Sequence, residues 1–224
     1  MNIRMLPAAD SIFPSKKIRV LNLYAGIGGN RILWPSLKIA VTAVELNSQI
    51  VEIYSTFFPN DKVVVADAHV FLRDHYSEFD VIWSSPPCQS HSSFRQNFHV
   101  RSHRSPADYP DMSLYQEIIF LKSNFRGLWV VENVRPYYPA LINPSFILQR
   151  HFFWSNFPVQ EKKFSTDLIR RARIQDLQKS HGIDLSKFRV PNKRKLLRNC
   201  VKPTIGLHIF EAMESHRDRC LSEA

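Results

Sequence analysis

Short apolar runs recur along this chain of 224 residues, and polar stretches of helical spacing separate them. Residues 18–23, Ile-Arg-Val-Leu-Asn-Leu, predict a buried strand running into Tyr-Ala-Gly-Ile-Gly-Gly29, a glycine turn that leads into a helix. Residues 40–45 predict a second strand, and 47–58 a helix closed by Pro59. A third strand over 63–66 ends at Asp67, and a fourth over 80–83 runs into Ser-Ser-Pro-Pro-Cys88. A long polar loop, 89–109, precedes helical spacing over 112–125. A fifth strand over 128–131 ends at Glu-Asn-Val134, and 152–157 predict another. Residues 165–179 read as a helix with Ser165 as its N-cap and Gly182 at its stop, and 203–213 as the last helix. The stretch before Ile18 is irregular and reads as an arm.

Strands alternating with helices predict an α/β fold with a mostly parallel sheet and helices on both faces. Ligands of such sheets sit beyond the carboxyl ends of the strands. Here those ends carry Gly26-Ile-Gly-Gly29, Glu45, Asp67, Pro87-Cys88 and Glu132-Asn133. A structural turn explains any one of these; a shared site explains all five better.

Composition narrows the class. At 44% hydrophobic and 22% charged, the chain can build a substantial core, which excludes wholesale disorder. No apolar run approaches the ~20 residues that span a bilayer, so no membrane association is expected. The N-terminus lacks the apolar stretch of a secretion signal. Cysteine occurs only at 88, 200 and 220, an odd number without metal-ligand spacing. That argues against a disulfide framework and a metal site, and for a reducing cytoplasm. His91, His99 and His103 read as members of a solvated loop, since no Cys or acid completes a metal site there. Net charge is +10, and residues 161–202 hold 13 Lys/Arg against 4 Asp/Glu. A block that lopsided favours a polyanion surface over an ordinary solvated helix face.

The candidate chemistry follows from the strand ends. The Gly-x-Gly-Gly turn lets a ligand approach backbone amides, but it lacks the full dinucleotide pattern and any phosphate-loop lysine. Glu45 is placed to bind ribose hydroxyls, and Asp67 to accept from an adenine amino group. Helix capping explains either acid alone. Together with the glycines they suit a nucleoside cofactor without a polyphosphate, with S-adenosylmethionine leading. Two prolines stiffen the backbone before Cys88, which reads as a nucleophile needing a positive neighbour to form its thiolate. Glu132 supplies an acid at the adjacent strand end.

These residues resemble the DNA cytosine-C5 methyltransferases. Leu23-Tyr-Ala-Gly-Ile-Gly-Gly29 is similar to the family's first cofactor motif, and Pro86-Pro-Cys-Gln89 to its nucleophile motif. Glu132-Asn-Val134 is similar to its glutamate motif, Gln149 to Phe157 to its arginine motif, and Arg198-Asn-Cys-Val201 to its final asparagine motif. The five occur in order over most of the chain. The resemblance implies a Rossmann-like S-adenosylmethionine-dependent methyltransferase fold and a covalent Cys88 adduct at cytosine C6 on a flipped base. It implies catalytic roles for Cys88, Glu132, Arg150, Asn133 and Pro87. It places the cofactor against Tyr24, Ala25, Gly26, Gly28, Gly29, Glu45, Leu46, Asp67, Ala68, Pro86, Asn199, Cys200 and Lys202. Double-stranded DNA would meet Gln89, Ser92, Arg95, Arg101 and Arg104 of the polar loop, and Arg170, Arg171 and Arg173 of the basic block. No obligate protein partner is expected.

The chain departs from the family in places. Leu46 stands where many relatives carry an aromatic, and the usual arginine pair reads Gln149-Arg150-His151. Residues 1–157 read as the cofactor-binding and catalytic core, 158–197 as a short basic target-recognition segment, and 198–224 as a return to the core of one compact domain. So short a recognition segment resembles compact phage-type members and implies DNA modification of the restriction-modification kind, in a bacterial or phage-infected cytoplasm. Lys202 falls where relatives carry an uncharged residue. Its ammonium either points to solvent or pairs with the cofactor's own carboxylate, the reading preferred here, or it accommodates a carboxylate on the transferred group, which would make carboxy-S-adenosylmethionine a second cofactor and C5-carboxymethylation the reaction. An RNA cytosine methyltransferase, an amino-methyltransferase and an inactive DNA-binding homologue compete with these readings.

Overall fold

The computed structural model describes residues 17–92, 109–165 and 172–223. Its elements are β1 (Ile18–Leu23), a 3-10 turn (Gly29–Arg31), β2 (Ile39–Glu45), α1 (Ser48–Phe57), β3 (Lys62–Val65) and α2 (Ala68–His75). A second 3-10 turn (Tyr76–Glu78), β4 (Val81–Ser84), α3 (Ser113–Asn124), β5 (Leu128–Val134), β6 (Phe146–Leu148) and β7 (His151–Ser155) follow. The chain closes with α4 (Ile174–His181), α5 (Lys193–Asn199) and α6 (Pro203–Ser222). The strands form a seven-stranded sheet in the order β3-β2-β1-β4-β5-β7-β6. Strands β1 to β5 are parallel, while β7 runs antiparallel to β5 and pairs with β6 as a hairpin.

Alternation along the central strands builds two cores. In β1, Ile18 and Val20 face one side of the sheet and meet Ile205, Ile209, Phe210 and Met213 of α6. Leu21 and Leu23 face the other side and meet Leu114, Tyr115, Ile118 and Leu121 of α3. Helices therefore cover both faces, as the alternating pattern required. A third cluster joins Ile27 and Ile53 to Leu177, Ile183, Leu185 and Leu197. The basic segment is thus packed onto the glycine loop and α1.

The structure corrects several expectations. The glycine turn leads into a single 3-10 turn, not a helix, because α6 occupies the adjoining space. Gly206 of α6 lies so near the turn that a Cβ there would sit 2.3 Å from the Asn30 carbonyl oxygen. Helix α4 starts at Ile174, with Arg173 at its N-cap and Asp176 accepting from the Arg173 amide at 3.1 Å, while residues 166–171 of the stretch expected to be helical lie outside the described residues. Gly182 does end it, in the left-handed conformation. Helix α6 continues past Met213 to Ser222, because a helix can run on as a solvated rod after its apolar stripe stops. His91 is not solvated: it is fully buried between Tyr115 and Tyr138, and its Nδ1 pairs with the Tyr138 hydroxyl.

Candidate active site

The carboxyl ends of β1, β2, β4 and β5, with Asp67 beyond β3, open on one cleft of about 670 Å³. Tyr24, Ala25, Gly26, Gly29, Glu45, Leu46, Asp67 and Ala68 line one end of it. Pro86, Pro87, Cys88, Gln89, Glu132 and Arg150 line the other, with Asn199 and Cys200 along the side.

The three glycines do different work. Gly26 has φ +54°, and a Cβ there would meet nothing nearer than the Tyr24 carbonyl oxygen at 4.0 Å. Its backbone is therefore an open wall of the cleft. Gly28 does not line the cleft; it has φ +82°, and a Cβ would strike the Phe58 ring at 2.2 Å. Gly29 lies against Cys200, whose Cβ is 2.6 Å from where its own would be. Packing, not a ligand, requires glycine at these two.

Both acids at this end are anchored. Glu45 accepts from the Gly26 amide at 3.1 Å and from the Asn47 amide at 2.9 Å, which ties β2 to the glycine loop. Asp67 caps α2 by accepting from the Val70 amide at 3.0 Å. Each carboxylate keeps lone pairs beyond these bonds. Tyr24 is also in the left-handed region, at φ +54°. Its hydroxyl donates to Glu117 at 2.6 Å, burial pushes its pKa up, and Ser84 donates to the same carboxylate at 2.6 Å. His69, which lines the cleft, pairs with Glu117 at 3.1 Å. Sequence reasoning missed Glu117 and His69. The signal for Glu117 was an acid on the apolar face of the helix predicted over 112–125.

At the other end, Asn133 does not line the cleft. Its side chain donates to the Pro86 carbonyl at 3.0 Å and so positions the proline turn. The Cys88 carbonyl accepts from the amides of His91 and Ser92, closing the turn behind the thiol. Ser92 makes a bridge to Pro136 and does not line the cleft. Burial and the Glu132 carboxyl push the Cys88 thiol above its ordinary value, while Arg150 and Lys195 pull it down. The thiol expected to be activated is therefore a resting thiol here, because desolvation outweighs the two cations. Burial raises Glu132 to about 7, against a hydrogen bond with Ser85 and the charge of Arg150. Arg150 sits in the two-residue turn between β6 and β7, which Gln149 enters at φ +55°, and its guanidinium donates to the Arg198 carbonyl at 2.8 Å.

Of the residues expected along this side, Cys200 lines the cleft and Lys202, just past the last motif, does not. Cys200 is a buried thiol pushed up to about 12 by desolvation, donating to the Leu196 carbonyl at 3.4 Å. Lys202 does not line the cleft; its ammonium donates to the Ser165 carbonyl and hydroxyl at 3.2 and 2.9 Å. As N-cap residue of α6 it leaves the cleft wall at Val201. Arg173 is exposed and paired with Asp176 at 3.2 Å. Arg95, Arg101, Arg104, Arg170, Arg171, His99 and His103 lie outside the described residues. Among the described residues, no group of three or more His, Cys, Asp or Glu is arranged to hold a metal, and no helix is long and apolar enough to cross a membrane.

Comparison with known proteins places this chain in a family. Among solved structures, the Entamoeba histolytica methyltransferase EhMeth is 13% identical, with a TM-score of 0.54 over 90% of this chain and 99% of its own. A mutant DNMT2 of Spodoptera frugiperda is 22% identical, with a TM-score of 0.39 over 56% of this chain and 38% of its own. An Agrobacterium tumefaciens SAM-dependent methyltransferase is 12% identical, with a TM-score of 0.40 over 55% of this chain and 40% of its own. No curated protein matches the sequence. At such identities the likeness to EhMeth speaks to the fold, a Rossmann-like methyltransferase fold. The family model described as C-5 cytosine-specific DNA methylase matches residues 18–136, more than half of the chain. That span runs from β1 through the glycine loop, Glu45, Asp67 and Cys88 to Glu132, and the chain belongs to the C-5 cytosine-specific DNA methylase family.

Proposed function

We propose that this chain transfers a methyl group from S-adenosylmethionine to C5 of cytosine in double-stranded DNA, through a covalent Cys88 adduct on a flipped base. One observation carries the reading: the Cys88 thiol and the buried Glu132 carboxyl line the same cleft as Gly26, Glu45 and Asp67. The cleft suits this cofactor. Gly26 presents backbone without a side chain, Glu45 is available to ribose hydroxyls, Asp67 to an adenine amino group, and Leu46 to an apolar ring face. When bound, S-adenosylmethionine supplies an electrophilic methyl carbon.

Cytosine C5 is a poor nucleophile until its 5,6 double bond is polarised, and this is work for the protein. The Cys88 thiolate forms a bond to C6, and the π electrons move toward C5 and N3. Glu132, a carboxyl that holds its proton up to about pH 7, donates that proton toward N3. Arg150 balances the charge that collects beside it. Once C5 carries the methyl group, the C5 proton passes to a water molecule acting as base, the electrons of the broken C5–H bond re-form the C5–C6 double bond, and the Cys88 sulfur–carbon bond breaks. The thiolate is released and Glu132 recovers its proton. A stacked base cannot reach such a cleft, so the target must leave the duplex.

A carboxymethyl transfer would require Lys202 to face the transferred group. Because Lys202 is held at Ser165, away from the cleft lining, S-adenosylmethionine is the cofactor of this proposal. The nucleic acid is assigned to α5 at the cleft mouth, to Gln89, and to Arg95, Arg101, Arg104, Arg170, Arg171 and Arg173. The test mixes purified protein with labelled cofactor and either DNA or RNA, and identifies the modified base. We expect 5-methylcytosine in DNA, a denaturant-stable complex with DNA carrying 5-fluorocytosine, and neither with Cys88→Ala. Label in RNA alone would move the substrate to RNA. Methylation at an amino nitrogen would replace the covalent route. Binding without transfer would make the chain a DNA-binding homologue.

A further inference from the structure

Glu132 is framed by groups from several elements. Ser85, beyond β4, hydrogen-bonds it, and Arg150, in the β6–β7 turn, stabilises its charged form. Cys88 faces it from the proline turn. Arg198 of α5 holds Arg150 through its carbonyl. A further neighbour is His151, the first residue of β7, whose Nε2 lies 3.7 Å from Glu132 Oε1. His151 is 5% exposed, and its Nδ1 is buried without a hydrogen-bond partner. Burial and Arg150 hold its pKa down at about 3, so the ring is neutral.

A separation of 3.7 Å is too long for a hydrogen bond, but closing it by roughly half an ångström would make one. The strand register explains why the two can meet. Val134 pairs with His151 and Glu132 with Phe153, so Glu132 and His151 are diagonal neighbours on one face. A neutral ring at this point does not draw the proton off Glu132, as a cation would. It also offers an N–H to the carboxylate that remains after the proton has gone.

We infer that His151 is a positioning residue for Glu132: its neutral ring leaves the resting carboxyl a proton donor, then donates Nε2–H to the carboxylate formed when that proton passes to cytosine N3. The inference rests on the Cys88–Glu132 reading above. The proton leaves a Glu132 oxygen for N3 and returns when the thiolate is expelled. His151 keeps its own proton throughout.

The experiment follows the rate of adduct formation with 5-fluorocytosine DNA against pH, at saturating cofactor. The lower limb of that profile belongs to Glu132, because above it the thiolate gained is cancelled by the protonated carboxyl lost. His151→Lys should move this limb down by about 1 to 3 pH units, the effect of a cation within reach of a carboxylate. His151→Leu should slow adduct formation about 10- to 100-fold, the loss of a hydrogen bond to a charged group. His151→Gln, which retains an N–H donor, should recover most of that loss. Equal rates in the Leu and Gln variants, with an unmoved limb in the Lys variant, overturn the inference. Should the variants fail to fold, nitrogen NMR of the histidine-labelled native protein decides. The Nε2 signal of His151 should shift when the adduct forms and stay that of a neutral ring from pH 5 to 8; an unchanged signal overturns the role. If the native protein forms no adduct at any pH, the failure lies in the Cys88–Glu132 reading itself.

Discussion

Glu132 carries opposed demands at neutral pH. Its folded pKa of about 7 lies above the ordinary carboxyl value of 4.5, because burial penalises the charged form. Between those values the folded chain binds more protons than the unfolded one, so stability falls as pH rises through that window. Above pH 7 the full deficit applies, on the order of 3 kcal/mol for a shift of this size. Glu132→Gln should therefore raise the melting temperature by about 5 to 10 °C at pH 8 and change it little at pH 4.5, as melts at the two pH values would read. The same variant should lose about 10²- to 10⁴-fold in turnover, the usual worth of a positioned acid. His151 works in the other direction: its stability contribution is present above the unfolded histidine value and is lost as pH falls toward 3. The rate profile follows from the same groups. In the proposed reaction the productive form pairs a protonated Glu132 with a Cys88 thiolate, yet the thiol titrates above the carboxyl. Turnover should rise tenfold per pH unit up to about 7, stay level, and fall only above the ordinary thiol range. A maximum below pH 6 would contradict this assignment.

At the scale of elements, a buried ion pair fixes the turn that replaces the expected helix. Arg31 of the 3-10 turn donates through Nε and Nη2 to Asp61, both at 3.0 Å, and its side chain is 4% exposed. Tyr54 of α1 donates to the same carboxylate at 2.9 Å, and the Arg31 guanidinium stacks over Phe58 at 5.2 Å. Removing one partner leaves an uncompensated buried charge. Asp61→Asn should cost about 3 to 5 kcal/mol in urea unfolding, and the Arg31→Met, Asp61→Leu pair distinctly less. Nothing in the spacing around Arg31 announced this arrangement, because both partners belong to turns. Strands β1, β2, β4 and β5 were legible because buried parallel strands are nearly continuous apolar runs. Their ends were legible for the same reason, since polar residues there break the run. Strand β6 is three residues long and α5 seven, mostly basic, so neither repeats long enough to show a period. At the site, Cys88 and Glu132 could be found from their places at strand ends. Glu117 was marked only as an acid on an apolar helix face, and neither its partners nor those of His151 could be placed, since a polar residue inside an apolar stretch gives no hint of what it meets across the fold.

Nearly all of the chain's excess charge, +10 overall, falls within residues 161–202, and residues 172–200 of that stretch pack onto Ile27 and Ile53 beside the cleft. Leu177, Ile183, Leu185 and Leu197 of that segment are spent on the core, which leaves mainly its cations to face a ligand. Leu196, Arg198 and Asn199 of α5 line the cleft, and Lys195 acts on the Cys88 thiol, so α5 is the helix that the proposed reaction would bring against the nucleic-acid backbone. Contacts from Lys and Arg to phosphate give affinity with little sequence information. A short or degenerate target is therefore expected, and bisulfite sequencing of treated DNA should show methylation without one strict six-base context. Binding should also weaken steeply with salt, since each neutralised phosphate releases counterions. Replacing Lys193 and Lys195 together by alanine should lower DNA affinity and flatten the log–log salt slope by about 2. Arg19 serves as the control: it pairs with Asp80 at 2.7 Å at the amino ends of β1 and β4, opposite the carboxyl ends that open on the cleft. Arg19→Ala should leave the slope unchanged. Equal slopes for the α5 variant and the control would move the nucleic-acid surface off α5.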